Sequence, residues 1–136
     1  MIQTYSPDHY SLTAVRTHDT MGFCHEEMEH RKNALLPPLC SQALVWVTGP
    51  DPGRSQALAR DVADRLQRAK GDDIQILGPA EAPIKKINDR YRWVIQLRAP
   101  TITPVHRLLW RVLEDPRLRV GAKERLVVDI DPYNVL

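Results

Sequence analysis

Long apolar runs are missing from this 136-residue chain, and none approaches the roughly 20 residues that a membrane-spanning helix needs. The first residues, Met-Ile-Gln-Thr-Tyr-Ser-Pro-Asp, have neither the charge nor the apolar centre of a secretory signal. Only two cysteines occur, Cys24 and Cys40, and with nothing else pointing to secretion they read as reduced thiols. A cytoplasmic location is the expectation. No GxxxxGK[ST] loop is present; Gly49-Pro50-Asp51-Pro52-Gly53 is a proline-broken turn without the lysine, so the chain alone is not expected to hydrolyse nucleotides. GxSxG, HExxH, internal repeats and low-complexity segments are lacking too.

With 43% hydrophobic and 26% charged residues, the composition is that of a globular protein large enough for a real core. The net charge of +2 hides an uneven distribution. Residues 1–83 hold 8 Lys/Arg against 11 Asp/Glu, residues 84–125 hold 11 against 4, and residues 126–136 add two aspartates. The basic block makes an anionic partner plausible for that segment.

Two regions meet near Pro37-Pro38, so 1–36 and 37–136 are expected to be separate parts. In the first, Met1 to Tyr5 reads as a short extended run. Pro7-Asp8 resembles a helix entrance, and Asp19-Thr20 starts a second helix with acids early and bases late, as the helix dipole favours. Leu35 and Leu36 are expected to carry that helix to the double proline. In the second, strands are expected over 43–48, 73–77, 92–98 and 126–130. Helices are expected over 55–69, where Leu58, Ala59, Val62, Ala63 and Leu66 form one face, and from Thr103 to Leu113, with Pro104 in the first turn. Gly71 stands where a helix C-cap would be. The order β-α-β-β-α-β implies an α+β, ferredoxin-like sandwich: an antiparallel sheet with two helices on one face, preceded by a helical N-terminal segment.

Ala82-Pro83-Ile84-Lys85-Lys86-Ile87-Asn88-Asp89-Arg90-Tyr91-Arg92-Trp93 concentrates cations and aromatics before an apolar run. Cations attract phosphates, and aromatic faces stack on unpaired bases. The bland alternative is a loop with solvated charges that feeds a strand. Lys85, Lys86, Arg90 and Arg92 are the phosphate candidates. Tyr91 is the stacking candidate, whereas Trp93 heads the apolar run and reads as a packing residue. Arg107 and Arg111, four apart on a helix, make a cationic stripe. Arg117, Arg119, Lys123 and Arg125 precede the last strand. A shared phosphate-facing surface competes with a solvated rim.

Other chemistry has less support. Cys24, His25, His30 and Cys40 lack the short fixed spacing of a zinc site, and a buried Cys24 with surface histidines is the expectation. Asp129 and Asp131 share a strand face and could hold magnesium, but an Asp-Pro after an apolar strand is more often a turn. His106 reads as a surface or groove residue rather than a base.

Ile2-Gln3-Thr4-Tyr5-Ser6-Pro7-Asp8-His9-Tyr10 resembles the segment closing the second motor lobe of the bacterial replication-restart helicases, the primosomal protein N′ family. Phe23, Glu26-Glu27, Arg31-Lys32 and Pro37-Pro38 are similar to that family's linker. Leu77-Gly78-Pro79, Ala82-Pro83-Ile84, Lys86 and Arg90-Tyr91-Arg92 match a further block, and Val128-Asp129-Ile130-Asp131-Pro132 resembles the family's end. Departures are Cys24, where the family usually has an aromatic, and Leu36 and Leu39, where aromatics are common. The resemblance implies residues 1–36 as the end of helicase lobe 2 with a helical linker, and 37–136 as the C-terminal domain. It implies a nucleoid-associated DNA-binding and docking module with no catalytic or metal site of its own; ATP and zinc belong to the parent family's other domains. The implied partners are branched or single-stranded DNA, single-strand-binding protein and the remaining helicase domains, with no membrane.

Overall fold

A computed structural model of the chain describes residues 3–132. It divides into two compact units, Met1–Ala34 and Leu35–Leu136.

In the first unit, α1 (Tyr10–Thr17) and α2 (Thr20–Asn33) pack together. The cap of α1 is His9, whose ring accepts from Ser11 N, rather than the expected Pro7-Asp8. Asp19 caps α2 as expected, accepting from Gly22 N at 2.8 Å. That helix does not reach the prolines: it ends at Asn33, and Leu35 takes a left-handed φ of 49°. Of the extended run expected at the start, Met1 and Ile2 lie outside the described residues, and Gln3–Tyr5 forms no strand. Cys24 is exposed, correcting the expectation of a buried thiol; Cys40 is the buried one. An α2 without a buried residue offers Cys24 no core to enter.

In the second unit, β1 (Ser41–Gly49), β2 (Gln75–Ile87), β3 (Arg90–Ala99) and β4 (Arg125–Ile130) form an antiparallel sheet in the order β2-β3-β1-β4. With α3 (Pro52–Ala69) and α4 (Ile102–Leu113) this is the α+β class expected from the sequence. Helix placement differs from expectation in detail. Helix α3 starts at Pro52 because Asp51 caps it, accepting from Arg54 N at 2.7 Å, and a proline is compatible with the first helical position. It ends at Ala69 with Lys70, not Gly71, as the cap. Helix α4 begins at Ile102 with Thr101 at its N-cap position.

Val62, Leu66, Val105, Leu108 and Val112 on the helices meet Val45, Val47, Ile95 and Leu97 on the sheet. Leu66 is fully buried, and its truncation to alanine would remove about 2–5 kcal/mol. Since side chains alternate along a strand, these partners place both helices on one sheet face. Trp93 packs against the same core, in the role expected of it.

The largest departure concerns β2. Expected to close at Gly78-Pro79, it runs on to Ile87 and returns into β3 as a hairpin. Gly78, at φ 96°, allows a register shift between Leu77 and Ala80 after which pairing with β3 resumes. A Cβ there would lie 2.8 Å from the Val94 carbonyl oxygen. Gly78→Ala should therefore destabilise the domain by about 1–3 kcal/mol, read as a lowered midpoint in urea.

The first unit has its own polar clasp. Tyr10 donates to Glu27, which also accepts from Arg31 Nε at 2.6 Å. The Tyr10 hydrogen bond, then Arg31, holds the Glu27 carboxyl below its usual range; the same bond raises Tyr10 above its own. A lowered carboxyl pKa gives stability that is lost as pH falls through it, and a raised phenol pKa gives stability that is lost as pH rises through it. NMR shifts of Ala14 should therefore stay helical between about pH 5 and 9 and move towards coil at both extremes, with Tyr10→Phe abolishing the alkaline step. Shifts independent of pH would show that the clasp does not hold α1.

Candidate nucleic-acid interface

The basic segment forms the β2–β3 hairpin rather than a loop. Asn88 and Asp89 are its turn, with φ of 49° and 58°, so both central residues are left-handed, as a two-residue type I′ connection requires. Asn and Asp tolerate that region better than other residues bearing a Cβ. Lys86 pairs across with Tyr91, and Ile87 with Arg90.

Most of the hairpin's cations have protein partners. Lys85 Nζ lies 2.6 Å from Glu81, and Lys86 Nζ lies 2.9 Å from Asp89 and 5.3 Å from the Tyr91 ring centre. These hydrogen-bonded carboxylates raise the pKa of both lysines, and Lys86 lowers that of Asp89. The pairs are exposed, so salt or a phosphate can compete for the ammonium groups. Tyr91 is half-buried, and Lys86 already sits at its ring.

Arg90 has a different task. Its Nη2 donates to the Thr48 carbonyl at 3.1 Å and to the Lys123 carbonyl at 2.6 Å. It therefore ties the hairpin to the end of β1 and to the segment before β4. Nothing in the sequence distinguishes an arginine that holds carbonyls from one that holds phosphate.

Arg92 extends over the sheet face opposite the helices. Its guanidinium carbon lies 4.6 Å from the Trp46 ring centre, a cation–π stack. Register sets the surroundings: Thr48 pairs with Arg92 on one side and Arg125 on the other, and Trp46 pairs with Val94 and Val127. Gln96 fits its neighbours with its amide oxygen turned to accept from Gln42 Nε2 at 3.1 Å and Arg98 Nη2 at 3.0 Å.

Arg107 and Arg111 lie on α4, in the helix layer, so the sheet separates them from Arg92. The expected cations thus do not form one flat surface. They fall into a hairpin pair (Lys85, Lys86) beside the Tyr91 ring, a sheet-face residue (Arg92) and a helix group (Arg107, Arg111). The segment before β4 is anchored by Arg65, which pairs with Asp115 at 3.2 Å and donates to the Arg117 carbonyl at 3.1 Å.

The alternative chemistries find little support. Among the described residues no cluster of three or more His, Cys, Asp or Glu is placed to hold a metal. Asp131 lies beyond β4 at φ 46°, and its carboxylate accepts from Gln42 N at 2.9 Å, so it joins the strand end instead of facing Asp129. Among those residues no helix is long and apolar enough to cross a membrane. On α4, exposed Trp110 lines an apolar groove of about 740 Å³ with Leu109, Leu113, Val128 and Ile130, rimmed by His106, Arg107 and Arg111.

Comparison with known proteins assigns this arrangement. Residues 32–133 match the model of the primosomal protein N C-terminal domain. The chain belongs to that family. It is 34% identical to the replication restart protein PriA of Bacillus subtilis (strain 168) over 100% of the chain and 17% of that relative. To the proteins of the same name from Haemophilus influenzae and Synechocystis it is 29% and 30% identical over 99% of the chain, covering 18% and 16% of theirs. The chain therefore spans less than a fifth of the length of these curated relatives. The resemblance drawn from its own motifs is correct. Among solved structures, a de novo designed protein, Foldit4, matches 70% of this chain with a TM-score of 0.50 at 12% identity, a likeness of fold alone.

For the primosomal C-terminal domain described here, Arg90→Ala leaves two carbonyls without their charged donor. The expected loss is about 1–3 kcal/mol, measured by urea unfolding. An unchanged midpoint would return Arg90 to the pool of cations available to a ligand.

Proposed function

We propose that this chain is a DNA-binding and protein-docking module of a replication-restart helicase. In this reading it contacts branched or single-stranded DNA at stalled forks, together with single-strand-binding protein and the remaining helicase domains. It is not an enzyme on its own; the ATP-driven 3′-to-5′ motor and the zinc site belong to other parts of the parent. Action on DNA implies a cytoplasmic, nucleoid-associated location. The finer fold description we adopt is the ferredoxin-like sandwich, supported by the order β2-β3-β1-β4 with α3 and α4 on one face.

The observation that carries the DNA reading is the family match across the domain together with the excess of cations in residues 84–125. Lys85 and Lys86 project at the hairpin, where their present carboxylate partners are exposed and exchangeable. Arg107 and Arg111 add a second approach from the helix layer.

The test is fluorescence anisotropy on a labelled fork over a range of salt. Affinity should fall steeply with salt, and Lys85→Glu/Lys86→Glu should weaken binding about tenfold and reduce the logarithmic salt slope by roughly 2. A folded double variant with unchanged affinity and slope removes the hairpin from the contact.

A second reading, a docking module that never touches DNA, is favoured by the groove at Trp110, which is 74% exposed. It requires no DNA binding even at low salt, with retention of the helicase portion or of single-strand-binding protein in a pull-down that Trp110→Glu abolishes.

A further inference from the structure

Opposite its helices, the sheet carries a surface that the hairpin lysines and the α4 arginines do not form; of the basic segment's phosphate candidates it holds Arg92. Its centre is a row of side chains across the strands: Ala80 on β2, Val94 on β3, Trp46 on β1 and Val127 on β4. Val127 is 53% exposed, and Trp46 and Val94 are half-buried. The next row holds Arg92, Thr48 and Arg125. On the other side stand Gln96, with its amide and Arg98 joined, and Asp129 on β4. Arg92 and Arg125 therefore border an apolar centre with an indole in it.

We propose that this face is a platform for single-stranded DNA, with an unpaired base stacking on the Trp46–Arg92 pair and the adjoining phosphate meeting Arg125. The inference rests on the DNA-binding reading above and assigns it a surface and a strand state. Three features select this occupant. The guanidinium of Arg92 stacked on the Trp46 ring is a planar, cationic π-surface, which an unpaired base can extend or replace. The charge of the rim complements a phosphate backbone and opposes a basic or purely apolar partner. The row of Val94, Trp46 and Val127 gives stacked bases apolar support. A duplex keeps its bases stacked on one another, so it would meet this face only through phosphates and lose the stacking contribution.

The test uses the full chain with a fluorescein-labelled oligo(dT) and a blunt duplex, followed by anisotropy. Trp46→Leu keeps apolar volume and removes the ring; Val127→Glu changes an exposed residue and introduces an anion at the centre without touching the core. Each should weaken oligo(dT) binding at least about fivefold, the low end for loss of one base–aromatic stack, while Trp46→Leu, which leaves the charge unchanged, keeps duplex affinity within about twofold. If both variants fold and bind oligo(dT) like the unsubstituted chain, the platform is overturned, while binding to forks through the hairpin leaves the broader reading standing. If the unsubstituted chain binds no DNA at low salt, both are overturned. Should Trp46→Leu fail to fold, Val127→Glu decides alone.

Discussion

Everything in the larger unit depends on β1 being paired along both edges, with the helices on one face and only Trp46 and Thr48 partly exposed on the other. Ala43, Val45 and Val47 point into the helices, and hydrogen bonding to β3 and β4 fixes that choice. Side chains alternate with a period of two, so burying this set commits Leu44, Trp46 and Thr48 to the opposite side. A slip of one residue would drive Trp46 into a core already filled by Val62, Leu66 and Val105. The core thus dictates the composition of the open face. It also determines which arginines reach that face, since the β3 partners Arg92, Val94, Gln96 and Arg98 alternate with Trp93, Ile95 and Leu97 in the same register.

The hairpin shows how electrostatics and backbone geometry divide a cluster that looks uniform in sequence. Four cations lie within residues 85–92, but two are paired with nearby carboxylates and one holds two main-chain carbonyls. Exposed pairs contribute about 0–1 kcal/mol and yield to competing anions, so they leave the lysines usable. Replacing Arg90's contacts would leave carbonyls needing a donor, which makes it a poor phosphate ligand. Arg92 lies between these extremes. Its stack on Trp46 holds the guanidinium plane without neutralising its charge, so the residue is placed and still cationic.

Much of this was legible from local pattern. The apolar period of 55–69 and the proline and glycine breaks marked the second unit's elements, and the motif blocks identified the family. The hairpin was missed because Gly78-Pro79 reads as a terminator, whereas the glycine's positive φ lets the strand shift register and continue. The Asn88-Asp89 turn was an available signal that the cationic composition obscured. Arg90 could not have been assigned, because its partners come from Thr48 and Lys123, remote in sequence. Trp46 was recoverable: alternation with Val45 and Val47 already placed it on the other face, but its arginine neighbour required the pairing of β1 with β3. Cys24 was misread because helix α2 lacks a buried side, which composition alone does not reveal.

The separation of cations between two layers constrains how any DNA could be held. A duplex is a convex cylinder, and no single flat contact reaches both Arg92 on the sheet face and Arg107 or Arg111 on the helices. A branched substrate has arms that diverge, and its unpaired segments are flexible enough to follow a sheet face while a paired arm meets the hairpin. On the DNA-binding reading proposed above, the partition suits a ligand of mixed strandedness better than a uniform one, on geometric grounds separate from the stacking chemistry at Trp46. Salt would act unequally on such a complex. Contacts made by Lys85 and Lys86 exchange one anion for another and are strongly screened, whereas a base stacked on Trp46 and Arg92 also buries apolar surface that salt does not weaken.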